Sequence, residues 1–216
     1  LGIIGPTGCG KSTIINLLMR FYDVEDGGVF VDGRDVRTYE KDELHRKFGV
    51  VFQNDMVFFN TLRENIRFGR NLDDTALTRA VEDAVAAEYI DSLEEGLDYR
   101  ADIKGANLSG GQRQRLLISR ALAGNPEILI LDDSSSALDF ATDAKLRKAV
   151  HNLEGNTTTF LVSQRIAGIR QADQILVLGN GTLEGNGTHD ELMKTCEVYR
   201  EIYFSQFPEE RAAYNN

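Results

Sequence analysis

A glycine-rich loop with one lysine opens the chain, and its residue types could bind a row of phosphates. Gly5-Pro6-Thr7-Gly8-Cys9-Gly10-Lys11-Ser12 fits the pattern G-x-x-x-x-G-K-[S/T]. The glycines let successive backbone N–H groups face inward, and the following helix N-terminus adds partial positive charge. Lys11 is expected to reach the β- and γ-phosphates, and the Ser12 hydroxyl to bind Mg²⁺. The predicted nucleotide-binding residues are Gly5, Pro6, Thr7, Gly8, Cys9, Gly10, Lys11, Ser12 and Thr13.

A second candidate is an apolar run that ends in a carboxylate, Ile128-Leu129-Ile130-Leu131-Asp132. Such a run is typical of a buried parallel strand. Ligands of open α/β sheets bind at the carboxyl ends of the strands, which is where Asp132 would lie. Alone, Asp132 would be interpreted as a residue that merely ends a strand. Because the chain also has the phosphate loop, Asp132 is predicted to hold Mg²⁺ through its water shell.

A third candidate is Leu108-Ser109-Gly110-Gly111-Gln112. Ser109 and Gln112 have the spacing of a capping box, so the simplest interpretation is a well-capped helix. An exposed helix N-terminus with two glycines can also bind an anion. Because the chain already has one phosphate loop, a second anion site suggests that it serves the nucleotide of another subunit.

Composition limits the classes of function. The chain has 216 residues, 42% of them hydrophobic, and a net charge of −10. This length predicts one domain, with room for an inserted subdomain, and the acidic balance argues against nucleic acid as a partner. No apolar run approaches the ~18 residues that a membrane helix needs. Two cysteines, Cys9 and Cys196, provide no disulfide framework.

The pattern along the chain predicts strands that alternate with helices. After the phosphate loop, Ile14, Leu17, Leu18 and Phe21 predict one apolar helix face. Strands are expected at 1–4, 29–32, 48–52, 128–132, 157–163 and 174–178, and a helix at 141–152. Residues 61–124 are predicted to be helical, starting at a capping box, Thr61-Leu62-Arg63-Glu64, and the tail 208–216 is expected to fray. The order predicts an α/β fold with a mostly parallel sheet and a helical insertion.

With these motifs in this order, the chain resembles the nucleotide-binding domain of an ATP-binding cassette (ABC) transporter of the exporter type, over nearly its full length. Gln53 resembles the family's Q-loop glutamine, which contacts Mg²⁺ and senses the membrane domain. The D-loop, which crosses the dimer interface, is matched by Ser136, Ala137, Leu138 and Asp139. Thr61-Leu62-Arg63-Glu64-Asn65-Ile66 and Gly187-Thr188-His189-Asp190-Glu191-Leu192 also resemble exporter segments.

The resemblance implies a P-loop NTPase (RecA-like) core of residues 1–60 and 125–216, and a helical subdomain, 61–124, that carries the signature motif. It implies that N-terminal strands and a transmembrane domain are missing from this chain. ATP and Mg²⁺ are the implied cofactors, with Ser12, Gln53 and Asp132 at the metal. The implied location is the cytoplasmic face of the cell membrane. The implied partners are that transmembrane domain and a second nucleotide-binding domain, whose γ-phosphate is covered by Leu108, Ser109, Gly110, Gly111 and Gln112.

The chain departs from the family at two of its three expected catalytic positions, which are Gln53, Asp133 and Gln164. Asp133 stands where the family has the glutamate that polarises the attacking water. Gln164 stands where the family has a histidine that contacts the γ-phosphate. With the binding loop intact, these changes resemble the degenerate half of a heterodimeric exporter, which binds ATP, cleaves it slowly and completes the partner's working site.

Two other functions remain open. One is a non-catalytic ATP clamp that only regulates its partner. The other is a soluble cassette ATPase of chromosome maintenance or translation, which the acidic charge and the exporter-like stretch at 61–66 disfavour.

Overall fold

The computed structural model describes residues 1–134, 137–153 and 157–214, and only the backbone of residues 212 and 213. The described residues form eight strands and eleven α-helices. The strands are β1 (Gly2–Ile4), β2 (Phe30–Val31), β3 (Arg34–Asp35), β4 (Phe48–Val51), β5 (Ile128–Asp132), β6 (Thr158–Val162), β7 (Ile175–Gly179) and β8 (Thr182–Gly187).

The helices lie between and after these strands. They are α1 (Lys11–Leu18), α2 (Lys41–Arg46), α3 (Leu62–Arg67), α4 (Asp74–Asp83), α5 (Ala87–Asp91), α6 (Gly110–Leu122), α7 (Phe140–His151), α8 (Ile166–Ile169), α9 (His189–Thr195), α10 (Glu197–Gln206) and α11 (Pro208–Tyr214). The chain forms two compact units. The first unit is Leu1–Glu40 with Phe160–Asn216, and the second unit is Lys41–Thr159.

The sheet of the first unit has the order β6-β1-β7-β8. Strand β1 is parallel to both of its neighbours, with Ile3 opposite Val162 of β6 and Leu176 of β7. Strand β8 runs antiparallel to β7. Helices α8, α9 and α10 cover this sheet through a buried cluster of Ile4, Ile166, Ile169, Ile175, Val177, Leu192, Cys196, Tyr199 and Tyr203.

The second unit contains the parallel pair β4 and β5, in which Val51 lies opposite Leu131. Helix α6 packs tightly on β4: a Cβ on Gly49 would lie 2.3 Å from the carbonyl oxygen of Ala121. Helices α3 to α6 lie within residues 62–122 of this unit, and residues 92–109 form no α-helix, so the segment predicted to be helical is helical only in part. The predicted α/β fold, with a mostly parallel sheet and a helical subdomain, is therefore confirmed.

The predicted apolar face of α1 is wrong in detail. The buried side chains on this helix and just after it are Ile15 and Met19. The helix ends at Leu18, and Arg20 follows with a left-handed φ of 56°. The helical period therefore stops before Phe21, which is 48% exposed.

Three local expectations also need correction. The capping box at Thr61 is half-formed: its hydroxyl accepts from the Glu64 N–H at 3.1 Å, but its own N–H donates to Asn60 Oδ1 at 2.9 Å. The strand expected at 29–32 is shorter, Phe30–Val31, and a turn at Asp32-Gly33 joins it to the short strand β3. The tail from 208 to 214 is the helix α11, because tertiary contacts order it: the Tyr214 hydroxyl donates to the Met193 carbonyl at 2.6 Å.

Candidate nucleotide-binding site

The phosphate loop connects β1 to α1 in the first unit. Gly8 and Gly10 have φ of 81° and 104°, the left-handed region in which glycine is tolerated without strain. Gly5 is needed for another reason: a Cβ there would lie 2.3 Å from the Leu178 carbonyl oxygen and 2.6 Å from Cys9 Sγ. The sequence pattern thus gives a tightly curled loop at the carboxyl end of a central strand.

Lys11 bends over this loop. Its ammonium donates to the carbonyl oxygens of Gly5 at 2.8 Å and Pro6 at 2.9 Å, and lies 3.8 Å from Cys9 Sγ. Ser12 and Thr13 are exposed in the first turn of α1. Gly10 is the N-cap, and in the described part of the chain no side chain caps this helix. The helix dipole therefore faces the loop, in an arrangement that suits an anion.

Gln164 lies at the same edge of the first unit's sheet as the phosphate loop. Strands β1 and β6 are parallel neighbours, and just beyond β6 the Ser163 N–H donates to the Ile3 carbonyl at 3.1 Å. The loops that leave these two strands therefore start side by side. The Gln164 residue is exposed. The structure thus places the phosphate loop and Gln164 after two neighbouring parallel strands.

The second unit brings Gln53, Asp132 and Asp133 to one edge. Gln53 follows β4 after one intervening residue, and Asp132 is the last residue of the parallel neighbour β5. Asp132 is only 6% exposed, whereas Asp133 is half-buried with a left-handed φ of 50°. Two acidic groups and one amide therefore lie at the carboxyl ends of two adjacent parallel strands.

The signature segment starts α6 with a complete capping box. The Gln112 N–H donates to Ser109 Oγ at 3.2 Å, and the Ser109 N–H donates to Gln112 Oε1 at 2.8 Å. Leu108 is buried beside this cap, whereas Ser109 is exposed. Because Ser109 uses a lone pair in the cap, its hydroxyl hydrogen can be donated to a ligand.

The predicted D-loop lies against the signature glycines. The carbonyl oxygen of Ala137 would be 3.6 Å from a Cβ on Gly111, and Leu138 Cδ2 would be 3.7 Å from it. Asp139 caps α7 by accepting from the N–H groups of Ala141 at 3.0 Å and Thr142 at 2.9 Å. The Thr142 N–H, followed by its hydroxyl, holds the pKa of the Asp139 carboxyl below its usual value. Ser136 lies outside the described residues.

The predicted metal residues suit Mg²⁺ chemically. Asp132 supplies a carboxylate, Gln53 an amide oxygen and Ser12 a hydroxyl. Within residues 1–134, 137–153 and 157–214 there is no group of three or more His, Cys, Asp or Glu side chains that could hold a metal. Magnesium does not require one, because it commonly keeps waters and uses one or two carboxylates together with substrate phosphates.

Sequence reasoning missed a buried polar group around Arg120, near the end of α6. The Arg120 guanidinium donates to the Asn65 carbonyl at 2.8 Å, to Asn65 Oδ1 at 3.0 Å and to the Met56 carbonyl at 2.9 Å. Burial lowers the pKa of Arg120. The signal was present in the sequence: one cation in the apolar run 116–122 needs buried partners.

Residues 56–59, which Arg120 holds through the Met56 carbonyl, expose apolar side chains. Met56, Phe58 and Phe59 are 48%, 46% and 61% exposed, and the rings of Phe58 and Phe68 lie 5.6 Å apart. An exposed patch of this kind is typical of an interaction surface. Among the helices formed by the described residues, none has the length and apolar character required to span a bilayer.

Comparison with known proteins places these features in a family. Residues 1–136 match the protein family described as ABC transporter. The chain is 41% identical over 209 residues to the putative multidrug export ATP-binding/permease protein YgaD of Bacillus subtilis, covering 95% of this chain and 36% of YgaD. It is 41% identical over 211 residues to an ATP-dependent lipid A-core flippase of Vibrio vulnificus, covering 97% of this chain and 36% of the flippase.

A solved structure is also similar. A bacterial Atm1-family ABC exporter with ATP bound superposes with a TM-score of 0.90 at 35% sequence identity, covering 95% of this chain and 36% of that one. The chain thus spans little more than a third of the length of the relatives that it matches.

Proposed function

The chain belongs to the ABC transporter family, and we propose that it is the ATP-binding domain of an exporter, in which two such domains close around ATP and move a substrate across a membrane. The phosphate loop carries the proposal. Its left-handed Gly8 and Gly10, its lysine and the N-terminus of α1 form a cradle with the charge and shape of a triphosphate site. The matched relatives, a permease and a flippase, support the export role.

Residues of the first unit are proposed to bind the phosphates. Backbone N–H groups of Gly5 and of residues 7–13 would surround them, and Lys11 would exchange the carbonyls of Gly5 and Pro6 for phosphate oxygens. Ser12, Gln53 and Asp132 are proposed for Mg²⁺, which when bound neutralises charge on the phosphates. Lys11, Ser12 and Asp132 are assigned from the motif positions in the sequence, and Gln53 is assigned from the resemblance to the family's Q-loop.

The hydrolytic groups are proposed to be impaired. At position 133 an aspartate is one methylene shorter than the family's glutamate, and a displacement of about 1 Å can cost about 100-fold in rate. Gln164 can donate a hydrogen bond to a phosphate, but it cannot become cationic or relay a proton. We therefore expect a site that holds ATP and cleaves it slowly.

The signature segment is proposed to serve a partner domain. The capped Ser109 and the first turn of α6 would meet the terminal phosphate held by that domain, with Ala137, Leu138 and Asp139 at the interface. The partner would carry glutamate and histidine at the positions that match Asp133 and Gln164. The result would be a heterodimer with one efficient site.

The patch formed by Met56, Phe58 and Phe59 is proposed to contact the membrane domain. It begins three residues after Gln53, so a movement of this contact would be passed along the chain to the proposed metal ligand Gln53. In this proposal, residues 61–124 form the subdomain that carries the signature, and the domain lies on the cytoplasmic face of the membrane.

A pure ATP clamp is the alternative that Asp133 and Gln164 favour. The two functions are separated by ATP turnover in the double variant Asp133→Glu/Gln164→His. We expect about 100-fold faster turnover if only these two groups limit hydrolysis, whereas no gain would favour the clamp.

Adding Lys11→Met to the double variant is the matched control, because it should abolish the gained turnover and so assign that turnover to this loop. The degenerate-site proposal is wrong if the unmodified protein alone, at micromolar concentration, hydrolyses ATP as fast as an ordinary homodimeric exporter.

A further inference from the structure

The short loop that carries Gln164 is held by hydrogen bonds on both sides. On one side, the Ser163 N–H donates to the carbonyl of Ile3, and Ser163 Oγ accepts from the Arg165 N–H at 2.9 Å. Ser163 is buried, so these bonds form in a protected position. These bonds fix the first residues of the loop. The Gln164 carbonyl and the Ile166 N–H are bound by a different group.

That group is the side-chain amide of Gln206. Its Nε2 donates to the Gln164 carbonyl at 2.8 Å, and its Oε1 accepts from the Ile166 N–H at 2.9 Å. The amide therefore bridges the two backbone groups that flank Arg165. Forty-two residues separate Gln206 from Gln164 in the chain.

The helix that ends at Gln206 is firmly seated. In α10, Tyr199 and Tyr203 are buried in the same cluster as Ile166 and Ile169. A buried hydrogen bond joins the Tyr199 hydroxyl to His189 Nδ1 at 2.9 Å. The amide of Gln206 is thus presented from a helix that is fixed on both the core and the preceding helix.

We infer that Gln206 is a positioning residue for Gln164. By fixing the backbone on both sides of Arg165, it holds the Gln164 backbone beside the phosphate loop and so limits the positions that the Gln164 amide can reach. The inference rests on the proposed function, in which Gln164 contacts the γ-phosphate. It adds that this contact depends on a residue of the C-terminal helices.

The test compares Gln206→Leu, Gln206→Glu and the unmodified protein. Leucine removes both hydrogen bonds, whereas glutamate keeps an acceptor for the Ile166 N–H and loses the donor to Gln164. Hydrogen exchange of peptides covering 163–168 measures how firmly the two Gln206 hydrogen bonds hold this backbone. We expect about 10-fold faster exchange in Gln206→Leu and a smaller increase in Gln206→Glu.

Binding of ATP and ADP reports the role in the site. In Gln206→Leu we expect ATP affinity to fall about 5-fold while ADP affinity is unchanged, because only ATP carries the γ-phosphate. In a Gln164→Ala background the same substitution should cause no further loss of ATP affinity. Gln171→Leu, at another exposed glutamine of the first unit, is the matched control and should change neither measurement.

The outcomes separate the two ideas. If the unmodified protein binds ATP, but Gln206→Leu leaves either the exchange or the preference for ATP unchanged, the role of Gln206 is overturned and the proposed function stands. An equal loss of ATP affinity in the Gln164→Ala background would also overturn it, because the effect would not pass through Gln164. If the unmodified protein binds no ATP, the proposed function itself fails, and the role of Gln206 with it.

Discussion

Gly110, the first residue of the signature helix, faces Ala137 of the D-loop, and the space between them can hold a methyl group on Gly110. A Cβ on Gly110 would lie 3.4 Å from the Cβ of Ala137, which is ordinary van der Waals contact. The backbone of Gly110 is helical, so no left-handed φ requires glycine there. The fold therefore does not explain the glycine, whereas the proposed approach of a partner's phosphate would.

Gly110→Ala should separate folding from function. We expect the melting temperature to stay the same or rise slightly, because alanine is the better helix former. ATP turnover at the site of the partner domain should fall at least about 10-fold, because the added methyl displaces the phosphate by a fraction of an ångström. Thermal unfolding and ATPase assays of the assembled pair would check this. Unchanged turnover would contradict the role of the signature segment.

Gly5→Ala should give the opposite result. The new Cβ would lie 2.3 Å from a backbone oxygen, that of Leu178, so the central strand would have to move. We expect a loss of about 3 kcal/mol in the free energy of unfolding, as for other overpacked cores. Chemical denaturation without nucleotide measures it, and a stability equal to that of the unmodified protein would show that the loop is not as tight as described.

Lys11→Met should weaken nucleotide binding and leave the fold intact. In the structure Lys11 contacts only its own loop, through Gly5, Pro6 and Cys9, among the hydrogen bonds described for it. Losing a charge-assisted bond to phosphate should weaken ATP binding by about 10- to 100-fold. Equilibrium binding of a fluorescent ATP analogue would measure it. Lys194→Met, at an exposed position of α9, is the control and should bind as before.

The parts of the site that the sequence predicts are contiguous in the chain. The phosphate loop, the strand that ends at Asp132 and the cap formed by Ser109 and Gln112 are each encoded within a few residues, so local rules suffice. The parts that were missed join distant positions. Arg120 and Asn65 are 55 residues apart, and a hydrogen bond between two such groups leaves no local pattern.

The two wrong helix predictions, for the tail and for the apolar face of α1, also depend on features that hydrophobic patterning does not show. The tail was expected to fray because it is polar and terminal, but Tyr214 bonds back to α9 through the Met193 carbonyl. The apolar period after the phosphate loop continues in sequence to Phe21, whereas the backbone turns at Arg20. Hydrophobic spacing alone cannot place such a turn.

The stability of the domain should fall in mild acid because of His189. Burial, followed by the charge of Arg170, lowers the pKa of this imidazole, while Asp190 and Glu210 oppose the shift. Because the pKa of His189 is below 6.5 in the folded protein, the unfolded chain takes up a proton first as the pH falls. The free energy of unfolding is therefore at its full value above about pH 6.5 and decreases as the pH falls towards the folded pKa. The slope can reach about 1.4 kcal/mol per pH unit.

Denaturant unfolding from pH 8 to pH 5 would measure this slope. His189→Gln should reduce this slope by up to the contribution of one proton. At pH 8 the variant loses the ring contacts with Tyr199 and Tyr203 and the hydrogen bond of Nδ1 with the Tyr199 hydroxyl, so its stability there sets the baseline for the comparison. A variant with the same slope as the unmodified protein would show that another group takes up the proton.

Arg120 should be the most costly polar side chain to remove from the second unit. Its three bonds to Met56 and Asn65 are made in a buried place, so Arg120→Met leaves carbonyl oxygens without a donor. We expect a loss of about 3 kcal/mol in the free energy of unfolding. Arg120→Lys should recover little of it, because an ammonium cannot reproduce the planar fork of the guanidinium.

Two measurements distinguish this role from general damage to α6. In Arg120→Met, hydrogen exchange should accelerate first at residues 56–61, the segment to which Arg120 is hydrogen-bonded through Met56. Exchange in helix α6 should change later or less. Arg113→Met, at an exposed arginine on the same helix, should change the stability by less than about 0.5 kcal/mol. If Arg120→Met is as stable as Arg113→Met, the segment after Gln53 is held by its own packing, and the signature helix does not fix the surface proposed to meet the membrane domain.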